Sequence, residues 1–368
     1  MKELADILSV WRQDPAAAAA LATVAQTEGS SYRRPGARML ILDNGRTIGS
    51  ISGGCVESVA IDKAATVRSS GAPIVLAYDT SKEEDVVFGA GLGCKGVVRV
   101  LLEPVRPPLM DFLQRVFETR QSGAIVTVFQ AEGRNDVSIG ARVMLDEGAS
   151  VWSDISDPEL RALLAADARE TLRCGRQNET RHVTTTGAVT ALIEVVHGPQ
   201  PLIIFGAGYD AIPLARMARE LGYHVTVVDP RPAYADPHRF PDADAVVLAR
   251  PGEWNGKIHL TDRAAAVVMS HHYLTDAATL KALAPLSLRY LGVMGPRRRA
   301  EKMAAELGPE GADVLRRAHN PIGLDIGADT PEQIALAILA EIQAANTGRS
   351  GAPLRDRTGP IHAAHATA

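Results

Sequence analysis

The 368-residue chain has only three cysteines, Cys55, Cys94 and Cys174. So few thiols, odd in number, exclude a disulfide framework and fit a reducing compartment. They form no C-x-x-C pair and have no histidine-rich neighbourhood, which excludes a structural zinc centre. No apolar run approaches the roughly 18 to 20 residues that span a bilayer. The opening stretch MKELADILSVWRQDP reads as an amphipathic helix of mixed charge, not as a secretory leader. The expected location is the cytoplasm, without membrane insertion. A strong charge of one sign is missing too: with 22% charged residues and a formal net charge of -4, the chain offers no broad field for nucleic acid or a membrane surface. Binding must come from local sites.

What is present is a soluble globular composition, 46% hydrophobic, in a chain long enough for at least two domains. Setting ALATVAQTEGSSYRRPGARMLILDNG beside AIVTVFQAEGRNDVSIGARVMLDEG aligns Thr23, Val24, Gln26, Glu28, Gly29, Gly36, Ala37 and Arg38 with Thr127, Val128, Gln130, Glu132, Gly133, Gly140, Ala141 and Arg142, at a constant offset of 104. The flanks agree: an amphipathic helix precedes each copy, a second helix ends at Gly71 or Gly175, and VVRVLLEP echoes AVTALIEV. Each copy reads as helix, strand, hairpin, helix, then strands, with hairpin turns DNG at Asp43–Gly45 and DEG at Asp146–Gly148. The predicted fold class is α/β: a duplicated N-terminal α/β domain over 1–198, with repeats 1–104 and 105–198, followed by a Rossmann-like parallel-sheet domain over 199–347 and a flexible tail over 348–368.

Features shared by both copies are architectural, and features confined to one are candidates for chemistry. The first copy alone has SYRRPG (Ser31–Gly36), SGGC (Ser52–Cys55) and GAGLGCKG (Gly89–Gly96). Gly53 and Gly54, lacking Cβ atoms, let a ligand approach the backbone, and a helix beginning near Cys55 would aim its N–H groups at an anion. The same helix end would lower the Cys55 thiol pKa, making it a nucleophile or a soft contact to a metal centre; the alternative is a buried cysteine filling a tight turn. Cys94, between glycines, resembles a second thiol loop. Arg33 and Arg34 offer charge to an anion or form a solvated pair. Cys174, near the Gly175 helix end, reads as a structural small hydrophobe.

From Pro201 the pattern changes to βαβ. PLIIFGAGYDAIPLARMARELGYHVTVVDPRP places Gly206, Gly208 and Ala211 in the G-x-G-x-x-G/A fingerprint, with Asp229 where an acid reads a ribose 2′-hydroxyl. DAVVLA, AAVVMS and RYLGVMG follow as short buried strands. Pro296 is expected at a helix N1 position ahead of Arg297, Arg298 and Arg299, and Thr330 with Pro331 opens the last helix. Neither His271 nor His272 is expected to bind metal; a strand-end histidine either touches a ligand or lies on the surface.

Together, GSSYRRPGARMLI, GSISGGCVE, GLGCKGVVRVLLEP, LIIFGAGYDA, YLGVMGPRRRAEKM and PIGLDIGADTPEQIALAI resemble the XdhC/CoxI family of molybdenum cofactor chaperones through about residue 345. The resemblance implies a maturation chaperone. It would bind molybdopterin-type cofactor transiently, present it for sulfuration by a cysteine desulfurase, and deliver it to the apoprotein of a xanthine dehydrogenase-family molybdoenzyme. It also implies that Ser52, Gly53, Gly54, Cys55 and Cys94 contact the cofactor, with Cys55 a soft contact to the molybdenum centre. Gly206, Gly208 and Asp229 would serve a nucleotide or NAD(P), and the protein would form a homodimer. Lys95 departs from the Gly or Asn that family members often carry there. The competing reading is an NAD(P)-dependent oxidoreductase with Cys55 as nucleophile or acid; it explains the fingerprint but not the duplication, and no Tyr-x-x-x-Lys constellation accompanies it.

Overall fold

The computed structural model describes residues 2–15, 19–29, 32–54, 56–79, 96–133, 136–148, 150–175, 178–254 and 256–358. The chain divides into two compact units, one reaching to Gly198 and the other beginning at Pro199.

Unit 1 contains two five-stranded antiparallel sheets of the same order. The first, β3-β2-β1-β5-β4, uses β1 (Ala19–Gly29), β2 (Arg38–Leu42), β3 (Thr47–Gly49), β4 (Ile74–Asp79) and β5 (Gly96–Pro104). The second, β8-β7-β6-β10-β9, uses β6 (Ser122–Glu132), β7 (Arg142–Asp146), β8 (Val151–Ser153), β9 (Asn178–Thr184) and β10 (Gly187–His197). Helices α1 (Lys2–Gln13) and α3 (Pro107–Thr119) precede the two sheets, and α2 (Glu57–Ser70) and α4 (Pro158–Cys174) follow the two hairpins. The antiparallel pairing follows from the tight DNG and DEG turns, which join neighbouring strands without a crossover.

Side-chain alternation sends each central strand to two cores. Ala20, Ala22 and Val24 of β1 face α2, and Ala124, Val126 and Val128 of β6 face α4. Leu21 and Ile125 point the other way, into a shared layer with α1 and α3. A β-bulge falls at Ala25 in β1 and at its counterpart Phe129 in β6, and both residues pack with Leu101 and Leu192.

The two sheets exchange buried ion pairs. Arg38 of the first sheet bonds Glu194 of the second, and Arg142 of the second bonds Glu103 of the first, with Arg142 Nη1 2.8 Å from Glu103 Oε2. All four side chains are at least nine-tenths buried. Each arginine also donates to a carbonyl two residues upstream, Gly36 at 3.2 Å and Gly140 at 2.9 Å. The two glutamates hold matching places, opposite Leu21 and Ile125.

Unit 2 is a parallel sheet of order β13-β12-β11-β14-β15, built from β11 (Pro201–Phe205), β12 (His224–Asp229), β13 (Ala245–Leu248), β14 (Ala265–Val268) and β15 (Tyr290–Val293). Helices α5 (Ala211–Glu220) and α8 (Pro331–Thr347) cover one face, while α6 (Tyr273–Leu283) and α7 (Arg297–Arg317) cover the other. Strands buried on both faces explain the continuous apolar runs PLIIF and AAVV. The strand order reverses between β11 and β14, so their carboxyl ends frame the crevice where open α/β sheets take ligands.

Two local expectations, at Pro296 and at Cys174, need correction. Pro296 is the N-cap of α7, not its first helical residue, and α7 breaks at Gly308, where φ is 69° ahead of Pro309. Thr330 and Gln333 form a full capping box on α8, with Pro331 in its first turn. Cys174 is exposed on the last turn of α4 and not packed as a small hydrophobe, although Gly175 does end the helix in the left-handed region. Within the expected tail, residues 354–356 form a 3-10 turn. No helix among the described residues is long and apolar enough to cross a membrane.

Candidate functional site

In unit 1 the SGGC segment follows β3. Gly49 must be glycine: its φ is 83°, and a Cβ there would lie 2.4 Å from the Arg38 carbonyl oxygen. The chain then wraps around the carboxylate of Glu57, the first residue of α2. The Ser52 amide donates to Glu57 Oε1 at 2.7 Å, Ser50 Oγ donates to the same oxygen at 3.1 Å, and the Gly54 amide donates to Oε2 at 3.1 Å. Ser52 Oγ also bonds Oε2 and accepts from the Val56 amide at 3.2 Å. Burial on its own would raise the Glu57 pKa; the hydrogen bonds from Ser52 and Ser50 outweigh it and hold the carboxyl below the usual glutamate range. The sequence places an anion at this helix start, and the structure supplies one from the chain itself.

The second copy shows what this loop has changed. There Asp157 caps α4 conventionally, accepting from the Glu159 amide at 2.9 Å and the Leu160 amide at 3.3 Å, and Pro158 starts the helix. Helices α2 and α4 end at glycines 104 positions apart, but α4 has 17 residues and α2 only 14. Gly54 and Val56, at places matching the first turn of α4, precede α2. Gly54, at φ 118°, lies outside helical space, and Val56 caps nothing with its side chain. Ile51 and its counterpart Ile155 are buried alike, so the divergence begins just past a common anchor.

Two first-copy motifs meet here. A Cβ on Gly53 would lie 3.7 Å from Tyr32 Cγ, so the ring of the SYRRPG segment covers the glycine, while nothing comes within 4 Å of the Cβ position at Gly54. Tyr32 is 68% exposed. Arg33 is paired with Glu3 of α1, which removes it as a ready anion donor. Cys55, Cys94 and Lys95 lie outside the described residues, with the rest of 80–95. Among the described residues no cluster of metal-ligating side chains occurs.

In unit 2 the glycine fingerprint works as close packing. Gly206 has φ 119°, and a Cβ would fall 2.6 Å from backbone atoms of Met269 and Ser270 at the end of β14. A Cβ on Gly208 would lie 2.7 Å from Asp210 Oδ1. Asp229 is fully buried: its Oδ2 accepts from the Ala207 amide at 2.8 Å, and both oxygens accept from Arg231, at 2.9 Å from Nε and 2.8 Å from Nη2. Burial would raise this carboxyl, yet the Arg231 and Ala207 donors prevail and keep it below the ordinary aspartate range. Both carboxylate oxygens are thus committed to partners within the protein.

Across the crevice, His271 Nε2 is 2.6 Å from Asp210 Oδ2, with His271 held at φ 59°, unusual for a side-chain-bearing residue. His272 instead caps α6, its Nδ1 accepting from the Thr275 amide at 3.4 Å. Arg299 reaches Asp276 at 2.7 Å and Ser270 Oγ binds the same carboxylate at 2.6 Å, a buried brace under the β14 loop.

Glu57, Arg231 and the Asp210–His271 pair escape a motif-based reading. Two of them left a trace: Glu57 stands three places after a loop glycine, as in a capping box, and Arg231 follows Asp229 by two.

Family models agree with this layout. The XdhC Rossmann domain matches residues 202–342, and the XdhC and CoxI family model matches residues 12–79. A Bacillus subtilis protein described as a probable component of xanthine dehydrogenase is 32% identical over 88% of this chain and 92% of its own length. The Escherichia coli molybdenum cofactor insertion chaperone PaoD is 24% identical over 88% of this chain and 82% of its own. A crystal structure of a xanthine dehydrogenase from Bacillus halodurans superposes with a TM-score of 0.78 at 27% identity, covering 95% of this chain and 97% of that one. With both family models matched in order and a relative aligned over nearly its whole length, the chain belongs to the XdhC and CoxI family.

Proposed function

We propose that this protein is a maturation chaperone that binds molybdenum cofactor as cargo and passes it to a molybdoenzyme of the xanthine dehydrogenase family. Likeness to PaoD over most of both chains supports the class of activity. The observation that carries the site is the unwound first turn of α2, present in one copy and replaced by an ordinary Asp-Pro helix start in the other. It leaves Gly53 and Gly54 without side chains beside an exposed tyrosine ring, a surface suited to a flat pterin and its phosphate.

In this reading Cys55, directly after the bare glycines, meets the molybdenum end, and its thiolate accompanies a sulfuration step performed by a cysteine desulfurase. Ser52 orders the loop by bonding Glu57 and Val56, and Cys94 is assigned to the same cargo by its glycine-flanked thiol motif. An NAD-dependent oxidoreductase would need Asp229 to face a ribose hydroxyl, and Arg231 and Ala207 occupy it.

The test is to purify the protein from a molybdenum-replete host and identify the co-purified pterin. Wild type should carry it, and Cys55→Ala should lose most of the retained or sulfurated cofactor with an unchanged melting temperature. Pterin-free wild type refutes the chaperone reading. Unchanged loading and client activation by Cys55→Ala removes the thiol from it.

A further inference from the structure

The carboxyl end of β12 presents cations with no role in the reading above. In dinucleotide folds an exposed acid at this place receives a ribose 2′-hydroxyl, whereas a nearby arginine accommodates a 2′-phosphate. Here the acid, Asp229, has no exposed surface and its oxygens are committed to Ala207 and Arg231. What faces outward is guanidinium. Arg231 keeps 42% of its side chain exposed, and its Nη1 bonds nothing among the described residues.

Tyr234 holds two such groups together. Its ring centroid lies 3.6 Å from the Arg231 Cζ and 5.1 Å from that of Arg239. Arg239 is tied to the glycine turn as well, donating Nη1 to the Ala207 carbonyl at 2.8 Å and to the Tyr234 carbonyl at 3.1 Å. Of the local acids, Asp229 pairs with Arg231, Asp210 with His271, and Asp236 caps the turn at Pro237–Arg239 by accepting from the His238 amide at 2.9 Å. Arg239 has no carboxylate partner among the described residues, and both guanidinium groups are planar donors that suit a phosphate's forked oxygens and can stack on a base.

We infer that unit 2 binds a 2′-phosphorylated adenosine nucleotide, read by Arg231 and Arg239 on their Tyr234 support, in preference to the nucleotide with a free 2′-hydroxyl. The sealed Asp229 serves this in two ways. It offers no acceptor to the hydroxyl, and it presents no exposed negative charge to a phosphate. The inference goes beyond the chaperone reading and does not depend on it, since no molybdenum cofactor is involved at this site.

Titration calorimetry on the full chain tests it, with 2′,5′-ADP and 5′-AMP as probes. The 2′-phosphate should tighten binding by about tenfold or more, as charge-assisted bonds to two arginines would. Arg239→Gln should remove most of that advantage, bringing the ratio of the two affinities close to one. Arg231→Lys keeps a charge beside Asp229, so the fold survives, and should weaken 2′,5′-ADP selectively. Equal binding of the two probes, tighter binding of 5′-AMP, binding of neither, or an Arg239→Gln chain with its preference intact would each overturn the inference. Absence of pterin in the purified protein alongside a clear 2′,5′-ADP preference would sink the chaperone reading alone.

Discussion

The two sheets of unit 1 share strand order, bulge position, buried arginine and buried glutamate, and among their differences is the start of one helix. In the second copy Asp157 and Pro158 wind the first turn of α4. In the first, Gly53 and Gly54 stand at those two places and Glu57 reaches back to accept from the Ser52 and Gly54 amides. The first copy thus has a helix shorter by three residues at its start, 14 against 17, while the far end stayed fixed at a glycine. In the proposed reading the shared scaffold supplies the frame and this altered helix start supplies the binding surface.

The largest expected effect breaks the part the copies have in common. Arg38→Ala strands the Glu194 carboxylate in the interior and should cost about 3–5 kcal/mol in urea unfolding. Arg142→Ala should cost a similar amount by stranding Glu103, and a difference of more than about 2 kcal/mol between them would show that the matched geometry is not matched in energy. A smaller effect on stability, with a large one on function, sharpens the difference: Gly53→Asp with Gly54→Pro copies the second helix start into the first. The expected outcome is greater hydrogen-exchange protection over Cys55–Glu57 and loss of pterin retention. Retention despite a rewound turn would detach cargo binding from this loop.

The smallest effect probes the keystone. Glu57→Gln should cost about 1 kcal/mol at neutral pH. Because the folded carboxyl sits below its ordinary value, its contribution is whole above the unfolded glutamate pKa of about 4.3 and fades as pH falls through the lowered folded one. Melting curves across that range should fall less steeply for the variant than for wild type. Parallel curves would mean that Glu57 does not organise the loop.

How much of this was written in the sequence varies by length scale. Thr23, Arg38 and their counterparts in the second copy announced a shared architecture, and the glycine fingerprint with its apolar strands announced the parallel sheet. The partner of each arginine was not legible. Glu103 and Glu194 occur at matching places, but nothing local says that each bonds across to the other copy, because that depends on how the two sheets face each other. Asp229 was found at the right position for ribose recognition, and its orientation was not, since the periodicity of β12 cannot distinguish an exposed strand-end acid from one folded back onto Arg231. The helix expected to begin near Cys55 begins at Glu57, where the glutamate reaches back to the Ser52 and Gly54 amides.

The crosswise Arg–Glu pairs carry a consequence for ancestry. A polypeptide ending near residue 104 would own Arg38 and Glu103, one donor and one acceptor, each aimed at something it lacks. Two such half-length molecules, turned to face one another, would answer both needs at once. The fused arrangement reads as a former pair of identical protomers, joined end to end and then free to specialise on one side only.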